Sequence, residues 1–128
     1  MKIASSIHMS IRILILYLIA DISPKLTSVV WKGKRTKLYF QYGPSFDANL
    51  IPGVNVWATY EESGNGAALI VPFGDGQVGV LGPHPEATEE WFKEDGLPAN
   101  QGMKLGIAKI FIRSLLKPTS CSDAISRL

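Results

Sequence analysis

A histidine and a glutamate stand two positions apart where an apolar segment ends. The segment reads Gln77-Val-Gly-Val-Leu-Gly-Pro-His-Pro-Glu86, so a proline lies on each side of His84. The prolines favour an extended backbone, in which residues i and i+2 project to the same side. Glu86 is therefore expected beside the His84 imidazole. There a carboxylate can select one tautomer and stabilise the protonated ring, which is the base-and-orienter half of a nucleophilic triad.

A nucleophile for this pair is not evident in the sequence. The single cysteine, Cys121, lies thirty-seven residues after His84 in Thr-Ser-Cys-Ser-Asp, with no strand before it and no glycine around it. Catalytic thiols are typically held at a strand-to-helix turn, where the helix N-terminus lowers the thiol pKa. We therefore predict an unreactive tail thiol. A structural role for His84 and Glu86, solvated or capping the next helix, is the alternative to catalysis.

Several further motifs occur along the chain in a fixed order. They are Trp31-Lys-Gly-Lys, Tyr39-Phe-Gln-Tyr-Gly-Pro-Ser-Phe46, Ala58-Thr-Tyr60, Ala67-Ala-Leu-Ile-Val-Pro-Phe-Gly-Asp-Gly76 and the His84 segment. Together they resemble the C-terminal half of the biotin-protein ligase N-terminal-domain family over residues 28–91. Pro83-His84-Pro85-Glu86 is also similar to the His-Pro-Glu signature of class I glutamine amidotransferases. The resemblance implies an amidotransferase-like fold in which His84 and Glu86 serve a cysteine nucleophile.

The sequence departs from that family in one respect. Family members carry the cysteine at a Gly-x-Cys-x-Gly-like elbow before the His-Pro-Glu segment, and this chain has no such elbow. We interpret residues 28–117 as an amidotransferase-like half-domain of a shortened member, and residues 118–128 as a polar tail. His84 and Glu86 are then a vestigial or incomplete triad, non-catalytic without a nucleophile. The alternative is a hydrolase or amidotransferase in which His84 is the general base and the nucleophile is water or comes from another chain.

The elements that must position the pair are strands followed by helices. Apolar alternation and glycine turns predict strands over residues 28–31, 37–42, 54–60, 67–73 and 77–81, the last two joined by a hairpin at Gly74-Asp75-Gly76. Helices are predicted over residues 87–94 and, with an amphipathic pattern, over residues 103–115. The fold class is α/β, a partial flavodoxin-like or glutamine amidotransferase-like sheet with β-hairpins and a C-terminal helix. A small α+β domain is the alternative.

Residues 1–27 form a separate apolar N-terminal segment. The uncharged run Ile13–Ala20 is eight residues long, whereas a membrane-spanning helix needs about twenty, so membrane insertion is disfavoured. A buried core element is the first interpretation and a signal peptide over residues 1–20 is the second, although the cleavage signal around Ala20 is poor, with Leu18 before it where a small residue is wanted and Ile22 after it. Cytoplasmic localisation is favoured, and secretion would follow from the second interpretation.

Composition excludes several classes of function. The 128 residues suit one domain, and a net charge of +2 from 13 basic and 11 acidic residues indicates no nucleic-acid partner. One cysteine and two distant histidines, His8 and His84, predict neither an intramolecular disulfide nor a metal site, and no cofactor is expected. A protein partner or a homo-oligomer stays open. The basic cluster Lys32, Lys34, Arg35 and Lys37 is interpreted as a solvated hairpin that protects an edge strand, with anion binding as the alternative.

Overall fold

The computed structural model describes residues 23–116. The expectations for residues 1–22, for Cys121 and for the polar tail lie outside the described residues. Strand β1 (Lys25–Trp31) begins before residue 28, the predicted start of the half-domain. None of the helices within residues 23–116 has the length and apolarity needed to cross a membrane.

Within the described residues, five strands come first and three helices follow. The further strands are β2 (Lys34–Phe40), β3 (Asn55–Tyr60), β4 (Gly66–Phe73) and β5 (Gly76–Leu81). The helices are α1 (Glu89–Glu94), α2 (Ala99–Gly102) and α3 (Leu105–Leu116), and a short 3-10 turn spans Ala48–Leu50. The five strands and the two longer helices are confirmed with small shifts of their ends. The four-residue helix α2 was not predicted.

The strands form one sheet in the order β2-β1-β3-β4-β5, and each neighbouring pair runs antiparallel. The fold is therefore mixed α/β, which confirms the predicted class. A flavodoxin-like sheet is built from parallel strands, and no strand pair within residues 23–116 is parallel, so that finer assignment is not confirmed. Strands followed in sequence by helices are the arrangement of the α+β alternative.

Two hairpin turns follow from glycine. Lys32 and Gly33 both have positive φ, 47° and 81°, which is the requirement of the two-residue type I′ turn that matches the twist of paired strands. The β4–β5 hairpin is also confirmed, with Gly74 at a φ of 56°. Its connection, however, has two residues and not three, because Phe73 pairs with Gly76.

Strand β3 departs from the alternation that the sequence suggests. Alternation would place Val56, Ala58 and Tyr60 on one buried face, yet Val56 is 38% exposed and Trp57 is 8% exposed. The register with β4 shifts on both sides of Ala58. A β-bulge adds a residue to one strand and re-aims the side chains around it, so Trp57 and Ala58 are both buried although they are adjacent in sequence.

Both faces of the sheet are covered at β2. Leu38 and Tyr39 are adjacent in the strand, so they project to opposite faces, and both are buried. On the Leu38 face, Phe111 of α3 packs edge-to-face against two tryptophans, Trp31 at 6.0 Å and Trp57 at 5.3 Å between ring centroids. On the Tyr39 face, the cluster contains Ala87 and Phe92, with Leu26, Leu97 and Ala99 packed around it.

Candidate active site around His84

The sheet curves so that the segment after β5 reaches the opposite edge strand. β5 and β2 are the two outer strands, yet His84, three residues beyond the end of β5, forms an isolated antiparallel bridge with Tyr39 of β2. The His84 N–H donates to the Tyr39 carbonyl at 2.8 Å. Residues opposite each other in such a bridge project to the same side. The His84 side chain therefore lies on the Tyr39 face of the sheet.

Two glycines allow the segment between β5 and His84 to pack closely against its neighbours. A Cβ on Gly82 would overlap the Tyr60 hydroxyl and the Pro44 carbonyl oxygen, and a Cβ on Gly43 would overlap the Gly82 carbonyl oxygen. The Tyr60 hydroxyl donates to the Pro44 carbonyl at 2.7 Å. From the sequence alone, Gly43-Pro44 indicates only the end of a strand. In the structure it is the surface against which the His84 segment packs.

The expected pairing of His84 with Glu86 is present, but Pro85 and Glu86 form a turn, in which the Ala87 N–H donates to the His84 carbonyl at 3.2 Å, and not the extended backbone that the prolines predict. His84 Nδ1 lies 2.7 Å from Glu86 Oε1, and the two side chains are 33% and 49% exposed. An ionised carboxylate only accepts hydrogen bonds, so this contact assigns the proton to Nδ1 and leaves the lone pair of the neutral ring on Nε2. A base with its lone pair on Nε2 and its Nδ1–H held by a carboxylate has the arrangement that activates a hydroxyl or thiol nucleophile.

An aromatic cluster fixes one side of the imidazole. Tyr39, His84 and Trp91 contact one another edge-to-face, with ring centroids 6.0 Å apart for Tyr39 and His84, 5.6 Å for His84 and Trp91, and 5.5 Å for Tyr39 and Trp91. Edge-to-face pairs in this distance range are attractive. Trp91 belongs to α1 and is 39% exposed. The cluster therefore holds the His84 ring between β2 and α1 while the site stays open to solvent.

Tyr39 is a hydrogen-bond donor in this cluster. Its hydroxyl donates to Asp95 Oδ2 at 2.5 Å and lies 3.3 Å from Gln41 Oε1. Burial, the hydrogen bond to Asp95 and the negative charges of Asp95 and Glu94 raise the pKa of Tyr39 from 10.0 to about 12. The phenol is accordingly neutral at ordinary pH. Its hydrogen bond ties β2 to Asp95 at the end of α1.

Within residues 23–116, neither a cysteine nucleophile nor a metal-binding cluster accompanies His84 and Glu86. The chain's one cysteine, Cys121, lies outside residues 23–116. Over the same residues, no three His, Cys, Asp or Glu side chains are grouped so that they could hold a metal ion. What the described site offers is an oriented imidazole on a rigid aromatic support.

Sequence reasoning missed the residues around the pair. Tyr39 is a buried core residue, but the sequence gives no reason to place it, Trp91 or Asp95 beside His84. Their juxtaposition depends on a bridge between residues 39 and 84 and a hydrogen bond between residues 39 and 95. No local pattern encodes contacts across such separations.

No family model, no curated protein and no solved structure matches the chain. The arrangement of His84, Glu86 and their neighbours is therefore the basis on which a function is considered.

Proposed function

We propose that residues 28–117 carry the base half of a class I glutamine amidotransferase-like site and that the chain does not turn over glutamine by itself. His84 is the base and Glu86 orients it. The observation that carries the proposal is the 2.7 Å contact between His84 Nδ1 and Glu86 Oε1. The resemblance of residues 28–91 to the biotin-protein ligase N-terminal-domain family supports the reaction class, and it also supports the finer assignment of an amidotransferase-like half-domain.

The chemistry of this half-site follows from which imidazole nitrogen carries the proton. A neutral imidazole with its proton on Nδ1 can accept a proton at Nε2 from an attacking thiol, and the carboxylate then stabilises the imidazolium that forms. Without a thiol, the pair has nothing to activate for attack on the glutamine amide. The sequence offers no cysteine in the described residues. We therefore expect a binding or interaction module and not a complete enzyme.

The decisive experiment measures ammonia release from glutamine by the full chain. The matched control is His84→Asn, which removes the base and keeps a planar polar side chain. We expect wild type and variant to release ammonia equally, at the background rate. Ammonia release that His84→Asn abolishes would overturn the non-catalytic assignment.

The second candidate is a hydrolase or amidotransferase that uses His84 with water or with a nucleophile from another chain. One observation favours it: a third of the His84 side chain, 33%, is exposed, so an external group can reach the ring. Acyl transfer from phenyl acetate to added 2-mercaptoethanol tests this. The thiol proton passes to His84, the S–C bond forms, the ester C–O bond breaks and the proton returns to the phenolate. This candidate requires phenol release that is faster for wild type than for His84→Asn, either in water alone or with the added thiol, and equal rates under both conditions would contradict it.

A further inference from the structure

A groove on the opposite face of the sheet is not used by His84. It lies between the β1–β2 hairpin and the N-terminal half of α3, and its volume is about 470 Å³. Pockets that bind small molecules have volumes of about 300–1,000 Å³ and are mostly apolar with a few convergent polar groups. The size and position of this groove therefore suit a small ligand that would not touch the His84 site.

The floor of the groove is aromatic and aliphatic. Trp31 and Trp57 meet edge-to-face with centroids 6.3 Å apart, and Ile107 and Ile110 of α3 complete the lining. Ile110 is 56% exposed. An apolar body placed here would cover aliphatic surface that the described residues leave in contact with water, which is favourable in proportion to the area removed from water.

The rim of the groove is positively charged. Lys32, Lys34, Arg35 and Lys104 line it, and the Lys32 Nζ lies 4.1 Å from the centroid of the Trp57 ring. Arg35 pairs with Glu61 at 3.0 Å. None of the three lysines forms a salt bridge within residues 23–116.

The surrounding strands and α3 supply no acidic residue that would neutralise the three lysines. The sequences of β1, β2, β3 and α3 contain no aspartate or glutamate. The small net charge of the whole chain, +2, therefore hides a local excess of positive charge at this groove. Cations gathered around a low-dielectric apolar surface attract an anion more strongly than the same cations dispersed in water.

We propose that this groove binds a small amphiphilic organic anion. Its apolar body lies against Trp31, Trp57 and the two isoleucines, and its anionic group is held by the lysines of the rim. The positively charged rim favours a ligand with negative charge, and the apolar floor favours an organic anion over a simple inorganic ion.

Calorimetric titration of the full chain with decanoate tests the proposal, at concentrations below those at which decanoate forms micelles. Decanol supplies the same tail without the charge, and acetate supplies the charge without the tail. We expect saturable binding of one decanoate per chain, binding of decanol weaker by about tenfold or more, and no measurable binding of acetate, because a charge-assisted contact adds roughly that factor.

Variants locate the site. Lys32→Gln and Lys104→Gln, made separately, remove rim charges from different elements and should each weaken decanoate binding several-fold. The matched control is Lys37→Gln on β2, which lies outside the groove lining and should leave binding unchanged. Unfolding curves of each variant show whether the fold is retained, and two independent rim positions keep the test valid if one variant is unstable.

Three outcomes would overturn the proposal. Equal binding of decanol and decanoate would show an apolar groove with no preference for charge. Decanoate binding that neither rim variant weakens would place the ligand elsewhere. Absence of decanoate binding, together with a dimer in sedimentation velocity that Lys104→Gln dissociates, would assign the groove to a second copy of the chain.

Discussion

Replacing Tyr39 by phenylalanine removes a hydroxyl whose proton the folded state retains. The hydroxyl donates to Asp95 Oδ2, and burial together with that hydrogen bond raises the Tyr39 pKa from 10.0 to about 12. Below pH 10 the phenol is protonated in both the folded and the unfolded chain. Between about pH 10 and pH 12 the unfolded chain loses this proton and the folded chain keeps it, so the free energy of unfolding falls as the pH rises.

The size of the effect follows from the same shift. Each pKa unit corresponds to about 1.4 kcal/mol, so the shift from 10.0 to about 12 predicts a loss of roughly 2–3 kcal/mol across that pH range. Tyr39→Phe has no phenolic proton to lose at this position and lacks this contribution to the pH dependence. At neutral pH the variant should be less stable than wild type by about 1.5–3 kcal/mol, the usual value of a hydrogen bond to a charged group.

The assay is urea unfolding of wild type and Tyr39→Phe at a series of pH values from about 8 to about 11.5. The difference between the two proteins removes the common effects of lysine titration. Tyr42→Phe, at a tyrosine that is 47% exposed, is measured in the same series for comparison. A wild type minus Tyr39→Phe difference that stays constant over this range would refute the reasoning.

Two further substitutions test packing and the groove. Gly82→Ala should lower the free energy of unfolding by about 3 kcal/mol, because its Cβ would overlap the Tyr60 hydroxyl and the Pro44 carbonyl. Gly106→Ala in α3 would place its Cβ where no atom lies within 4 Å, and it should stabilise the protein by up to about 1 kcal/mol. Urea unfolding measures both variants, and similar free energies of unfolding would contradict the close packing at Gly82. Lys32→Met should cost about 0.5–1 kcal/mol through loss of the contact between its ammonium and Trp57, and an unchanged thermal unfolding midpoint relative to Lys34→Met would contradict that contact.

Local chemistry in the sequence predicted the hairpins and the His84–Glu86 pair. Gly33 supplies positive φ at a turn. The His84–Glu86 contact was predicted for the wrong local reason, because Pro85 and Glu86 lie in a turn and not in an extended backbone. The burial of Trp57 could not be predicted in this way. Strict alternation points the wrong residues inward, and the bulge that corrects it depends on the register with β4.

The surroundings of the candidate site also escaped prediction for a physical reason. His84 meets Tyr39 because the segment after β5 reaches the opposite edge strand, β2, and this requires a curvature that is a property of the whole sheet. The tie from Tyr39 to Asp95 depends in turn on where α1 ends against that sheet. The sequence indicates which residues could do chemistry, while the supporting cluster emerges only from tertiary packing.

The central claim is that Glu86 orients His84 as a base with its lone pair on Nε2. Nitrogen-15 NMR of the imidazole, recorded over a series of pH values and read on the neutral ring, tests it most directly, with the signal assigned by its loss in His84→Asn. We expect a protonated Nδ1 and an unprotonated Nε2 in wild type, and a loss of this preference in Glu86→Ala. A ring protonated mainly on Nε2, or the same tautomer mixture in wild type and Glu86→Ala, would contradict the claim.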